Sequence, residues 1–235
     1  MKNPITISYN FLLDLIFPRF CVGCKTEGFW ICPECDEKIF FVKSPYCPSC
    51  HRLTPKGQYC PRCKSDTFLT GAIIATYYKK GPIKEAIHYF KYEGITELKK
   101  GLGSILSDAI LARSIGNNLV LIAVPLHHHR LRERGYNQAK LLTDEISKNL
   151  RIPVIDKKLV KIKSSTRQAD LTRSQRLKNV VGLFDWVGES NELKGKTVIL
   201  VDDVLTTGAT LSECAKVLRQ KSGAQRVWGA VIAKG

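Results

Sequence analysis

No stretch of this sequence approaches the about 20 consecutive apolar residues that a membrane-spanning helix requires, so no spanning segment is expected. The one apolar stretch near its start, "ITISYNFLLDLIFPRF", is interrupted by Asp14 and followed by no small-residue cleavage site, which argues against a secretory signal. An amphipathic helix over residues 1–19, stopped near Pro18, fits better, with Leu12, Leu13, Leu15 and Ile16 packed on the rest of the protein. Acidic residues are in short supply: 21 Asp and Glu face 37 Lys and Arg, a formal charge of +16. Such a chain attracts phosphates, in nucleic acid, in small ligands or on membrane surfaces, unless its lysines merely solvate the surface. Internal repeats and low-complexity tracts are absent as well. A length of 235 residues suits one core of ordinary size with a small satellite.

What the chain does have is cysteine in pairs. Four C-x-x-C knuckles fall within the first 63 residues: Cys21 and Cys24, Cys32 and Cys35, Cys47 and Cys50, Cys60 and Cys63. A C-x-x-C turn presents two sulfurs to one metal, and two such turns complete the tetrahedral thiolate set of a structural zinc ion. Seven residues separate the first two knuckles and nine the last two, which favours sequential pairing over a cross-brace. Two zinc ions on eight thiolates would reduce the charge to about +12, still clearly basic. A disulfide framework would need an oxidising compartment, for which no targeting signal argues. His51 beside Cys50 is expected to be a bystander, and Cys214 a small buried core residue. Phe29, Trp30, Phe40, Phe41 and Tyr46, mixed with Lys25, Lys38, Lys43, Arg52 and Arg62, either stack on single-stranded bases or form a mini-core that docks on the rest.

From about residue 70 strands and helices alternate. "AIIATYY", "LVLIAV" at 119–124, "TVILV" and "RVWGAVIA" read as strands, with helices expected after Pro82, around 96–114, near 137–149 and near 209–221. Buried apolar runs between helices predict an α/β fold, a parallel sheet covered on both faces. Ligands of such sheets bind beyond the carboxyl ends of the strands. There lies "VILVDDVLTTGAT", where Thr206, Thr207, Gly208, Ala209 and Thr210 lead into a helix whose N-terminus is an anion site. Asp202 and Asp203 would repel a phosphate, so they face hydroxyls, as on a ribose, or a magnesium ion met indirectly. A ribose 5-phosphate satisfies every part of the stretch. No G-K-[ST] follows, so the loop is not a Walker A motif.

This stretch resembles the thirteen-residue signature of type I phosphoribosyltransferases. The resemblance implies a phosphoribosyltransferase-like sheet that takes 5-phosphoribosyl 1-pyrophosphate (PRPP) with magnesium. Asp202 and Asp203 would hold the ribose hydroxyls, and Thr206 to Thr210 would wrap the 5-phosphate. The pyrophosphate would lie against "PLHHHR", with Pro125, Leu126 and His127. A wider resemblance spans almost the whole chain. The knuckles, "HYFKYEG", "VPLHHHRLRERGYNQAKLL", "TRQADLTRSQRLKNVVGLF" and the terminal signature follow the order seen in ComF competence proteins. It implies a double zinc-ribbon domain over 20–68 and a phosphoribosyltransferase-like domain over 69–235. It also implies a cytoplasmic protein that handles incoming single-stranded DNA at the inner face of the membrane, with a ComFA-type helicase partner.

The basic segments suit either anion. Arg130, Arg132 and Arg134 fall within five residues, and if helical Arg130 and Arg134 share a face, available to pyrophosphate or to DNA phosphates. "KIKSSTRQADLTRSQRLKN", residues 161–179, carries Arg167, Arg173, Arg176 and Lys178 and reads either as a loop closing over substrate or as a nucleic-acid contact. Between residues 126 and 176, thirteen Lys and Arg face five Asp and Glu, an excess of +8 beside the expected ligand site. That concentration favours a long anionic partner over a sugar phosphate alone. Three functions are open: a DNA-uptake factor that uses PRPP, a phosphoribosyltransferase of nucleotide salvage, and a PRPP-responsive scaffold or regulator.

Overall fold

Punctuation by Pro and Gly sets the elements out in chain order. They are α1 (Pro33–Asp36), α2 (Pro61–Lys64), β1 (Gly71–Tyr77), α3 (Ile83–Tyr92), α4 (Lys99–Arg113), β2 (Leu119–Ala123), α5 (His128–Arg134) and α6 (Gln138–Leu150). There follow β3 (Leu159–Lys161), β4 (Phe184–Trp186), β5 (Thr197–Leu205), α7 (Ala209–Lys221) and β6 (Arg226–Lys234). The computed structural model describes residues 18–78, 81–163 and 180–235. The expected N-terminal amphipathic helix, and Arg167, Arg173, Arg176 and Lys178 of the basic segment, lie outside the described residues. Among the described residues no helix is long and apolar enough to cross a membrane.

β1, β6, β5 and β2 pair in that order, all parallel, while β3 and β4 form a separate antiparallel pair. Val198, Ile199, Leu200 and Val201 are fully buried in succession, as a strand covered on both faces requires. One face meets α3, α4 and α6 through Ile73, Leu121, Ile199 and Ile232. On α3, Ile83, Ala86, Ile87 and Phe90 supply the apolar stripe at helical spacing. The other face meets Leu211, Cys214, Ala215 and Leu218 of α7.

The four strands and four helices read from the sequence are present, and α1, α2, α5 and β3 are among the elements it did not set out. "HHRLRER" is a separate helix, α5, ended by Gly135 at φ +80°, a left-handed C-cap that glycine adopts without strain. β3 has three residues, too few for alternation to be legible.

The cysteine-rich region is tied to this sheet. Val42 N–H donates to Ala75 O at 2.9 Å, and Phe41 bridges Thr76, so the segment between the knuckle pairs continues the β1 edge. Cys47, Cys60 and Cys63, with Tyr46 and Tyr59, belong to the same apolar cluster as α7 and its sheet face. The close approach is fixed at Gly71. A Cβ there would lie 2.4 Å from the Trp228 ring and 2.6 Å from Gly57 O, and the backbone atom cannot yield cheaply. Gly71→Ala is therefore expected to cost about 1–3 kcal/mol by overpacking, read as a lower denaturant midpoint with an unchanged slope.

Candidate functional site

The eight paired cysteines gather as their spacing predicts. The sulfurs of Cys21, Cys24, Cys32 and Cys35 lie within 4.8 Å of one another, as do those of Cys47, Cys50, Cys60 and Cys63. Backbone N–H groups aim at sulfur: Cys32 donates to Cys21 Sγ at 3.3 Å and Cys60 to Cys47 Sγ at 3.5 Å. Such donors favour thiolate, the form that binds metal. Burial opposes ionisation of Cys47, yet its N–H donors bring the thiol down to about 6. Four thiols with three of the four buried form a closed ligand set, which fits structural zinc and leaves no open catalytic position. Cys214 stands apart, fully buried in α7, with its thiol pushed well up by that burial.

The carboxyl ends of the sheet strands surround a cavity of about 360 Å³. Asp202 and Asp203, near the end of β5, reach it from one side. Asp203 is 3% exposed; its Oδ1 pairs with Lys91 Nζ at 2.8 Å, while Oδ2 is buried with no hydrogen-bond partner. A buried acceptor left open is costly, so the site is shaped for a donor or a cation. Asp202 Oδ1 accepts from Asp203 N–H at 2.9 Å. Burial, then the charge of Asp203, pushes the Asp202 carboxyl up to about 7, against the pull of Lys91. For Lys91 burial disfavours the ammonium, but Asp203 and then Asp202 more than compensate and its pKa is raised.

Next along the chain, Gly208 sits at φ +81° and caps α7, with Thr206, Ala209 and Thr210 lining the cavity. Thr207 lies beside them; its Oγ1 accepts from Ala209 N–H at 3.3 Å, outside the cavity lining. This helix start offers unpaired N–H groups and the positive dipole end to an anion. Across the cavity stand Arg130 and Lys161. Burial, and then the neighbouring Arg130, lowers the Lys161 pKa, so an anion between the two would relieve both.

The expected second loop divides. Pro125, Leu126 and Arg130 line the cavity. His127 caps α5, its Nδ1 accepting from His129 N–H at 3.4 Å, which requires the unprotonated nitrogen; burial and the neighbouring histidines, lysine and arginine lower its pKa accordingly. Arg134 is outside the lining, engaged with Gln138 Oε1 and the Tyr92 ring, and Arg132 is exposed outside it as well. Sequence reasoning assigned no role to Lys91 or Tyr78, both of which line the cavity together with Lys161 and Gln138. Lys91 had a signal: it follows Ile83 and Ile87 at successive four-residue steps, so it falls on the buried stripe of α3 and needs a carboxylate there. Lys161, which ends a three-residue strand, was legible only as the start of the basic segment 161–179. Of the mixed aromatics, Tyr46 is buried and Trp30 Nε1 donates to Glu97 Oε2 at 2.7 Å, while Phe29, Phe40 and Phe41 stay exposed. Tyr46 and Trp30 thus follow the docking alternative.

Comparison with known proteins matches residues 12–64 to the double zinc ribbon domain and residues 132–235 to the phosphoribosyl transferase domain. Competence protein F of Haemophilus influenzae is 34% identical over 85% of this chain and 89% of its own length. Competence protein ComFC of Bacillus subtilis is 28% identical, covering 84% of this chain and 81% of its own. The DNA utilization protein YhgH of Escherichia coli is 28% identical over 91% of this chain and 97% of its own.

Proposed function

Because the chain belongs to the competence protein F family, we propose that it is a DNA-uptake factor of natural transformation. It binds single-stranded DNA through its ribbons and basic surface and holds PRPP with magnesium in the cavity. One observation carries the ligand: a carboxylate pair with an open buried oxygen shares a cavity with a helix-start anion loop and two cations. The carboxylates take ribose hydroxyls, the loop from Thr206 to Thr210 takes the 5-phosphate, and Arg130 with Lys161 takes the pyrophosphate. Magnesium would neutralise the pyrophosphate and meet Asp202 and Asp203 indirectly. The names of the relatives, competence and DNA utilization proteins, support the DNA half, as does the charge of +16. A cytoplasmic place at the inner membrane face with a ComFA-type helicase belongs to the same reading.

The DNA half is tested by affinity for labelled oligo-dT across a salt series. Each single-strand phosphate neutralised contributes about 0.7 to the log–log slope. Arg132→Ala, which leaves Arg130 to the pyrophosphate, is expected to weaken binding and lower the slope by about 0.7, one phosphate's worth. Arg134 is left in place because it is engaged within the fold. An unchanged slope would remove α5 from the DNA path.

A further inference from the structure

Beside the cavity lies a shallower groove on the second ribbon, lined by Phe41, Lys43, Tyr46, His51, Leu53 and Tyr77. Its wall is held by backbone and ring contacts. Phe41 bridges Thr76 at the β1 edge, Tyr77 N–H donates to Phe40 O at 3.2 Å, and His51 stacks on Tyr46 with ring centroids 5.1 Å apart. Yet Phe41 is 47% exposed, Tyr77 38% and Leu53 71%. Aromatic surface fixed in place and left facing water marks an interaction site.

The charge around the groove selects the partner. Lys43 lines it, Lys234 Nζ meets His51 Nε2 at 2.6 Å, and no carboxylate lines it. Flat ring faces flanked by cations are complementary to bases on a phosphate backbone, because every base offers a face to stack. The groove also adjoins the cavity. Tyr77 lines the groove and the next residue, Tyr78, lines the cavity; Lys234 reaches His51 and the next residue, Gly235, lines the cavity. The ends of β1 and β6 are thus a shared rim.

We infer that this groove is the base-stacking segment of a single-stranded DNA path that runs along the second ribbon to the rim of the cavity. The inference rests on the DNA-handling function proposed above and adds where the strand lies: Phe41 and Tyr77 stack on bases, and Lys43 and Lys234 meet phosphates. DNA and the cavity ligand then bind as neighbours.

The test is the affinity of the zinc-loaded full chain for labelled oligo-dT at fixed salt, with the slope measured in parallel. Phe41→Ala and Tyr77→Ala are each expected to weaken binding by about 5- to 100-fold, the range for one stacked base, with the salt slope unchanged because no phosphate contact is lost. Phe41→Trp should keep the affinity, and Phe41→Leu, which preserves apolar bulk but not the ring face, should lose it. Leu111→Ala, on an exposed apolar side chain of α4 at 62%, should change nothing. Zinc content and melting midpoint verify that each variant is folded. If the wild type binds DNA and Phe41→Leu and Tyr77→Ala bind as tightly, the strand runs elsewhere and the path is wrong while DNA handling stands. If the wild type does not bind DNA, the function beneath the inference fails with it.

Discussion

Cys60→Ser is expected to lower the melting midpoint of the whole protein by on the order of 10 °C, and Cys21→Ser by much less. The asymmetry follows from where the two sites sit. Cys47, Cys60 and Cys63 are part of the apolar cluster that includes α7 and one face of the sheet. Cys21, Cys32 and Cys35 form a small cluster of their own, with Ile31 against it. Metal binding by a small zinc module is worth about 10–16 kcal/mol, comparable to the net stability of about 5–15 kcal/mol of a whole domain. Losing the second site therefore uncovers core, including Tyr46, Tyr59 and Leu69. Losing the first frees a module that still docks by Val22, Ile39 and the Trp30–Glu97 bond. Calorimetric scans of both variants, with zinc content measured on the same samples, decide this; equal shifts would mean that the second ribbon is no more integral than the first.

The second large effect is on the ligand. Asp202→Asn with Asp203→Asn is expected to weaken PRPP by about 10- to 100-fold or more, the scale of lost charge-assisted hydrogen bonds. The single variants should differ in stability. Asp203→Asn removes the partner of Lys91, whose side chain is only 20% exposed, and breaking such a pair costs about 3 kcal/mol. Asp202→Asn removes a carboxyl already pushed up to about 7 by burial and by Asp203, so it should leave stability at neutral pH unchanged or raise it. Adding Lys91→Met to Asp203→Asn should recover most of the lost midpoint and none of the affinity. Recovery of both would make Asp203 a folding residue rather than a ligand residue.

Much of this was legible because local chemistry decided it. The zinc sets followed from knuckle spacing, since two sulfurs three residues apart and a short gap leave few pairings. The sheet followed from apolar runs such as "TVILV", whose burial on both faces needs a parallel arrangement. The carboxylates and the loop shared one stretch, so their convergence was local too. What was not legible depended on contacts between distant segments. Lys91 meets Asp203 across 112 residues, and only the buried stripe of α3 hinted that it needed a partner. Arg130 lines the cavity while Arg134 is captured by Gln138 and Tyr92, which no composition count reveals. The exposed groove at Phe41 and Tyr77 arises only when the segment between the ribbons pairs with the edge of β1.

Whether the cavity takes a ribose 5-phosphate is decided by calorimetric titration of the zinc-loaded protein with PRPP and magnesium. Saturable binding of one PRPP per chain is expected, tighter than ribose 5-phosphate and far tighter than inorganic pyrophosphate, because only PRPP engages carboxylates, loop and cations together. Absence of binding, or an affinity no better than that of pyrophosphate, would contradict it and reduce the cavity to a general anion site.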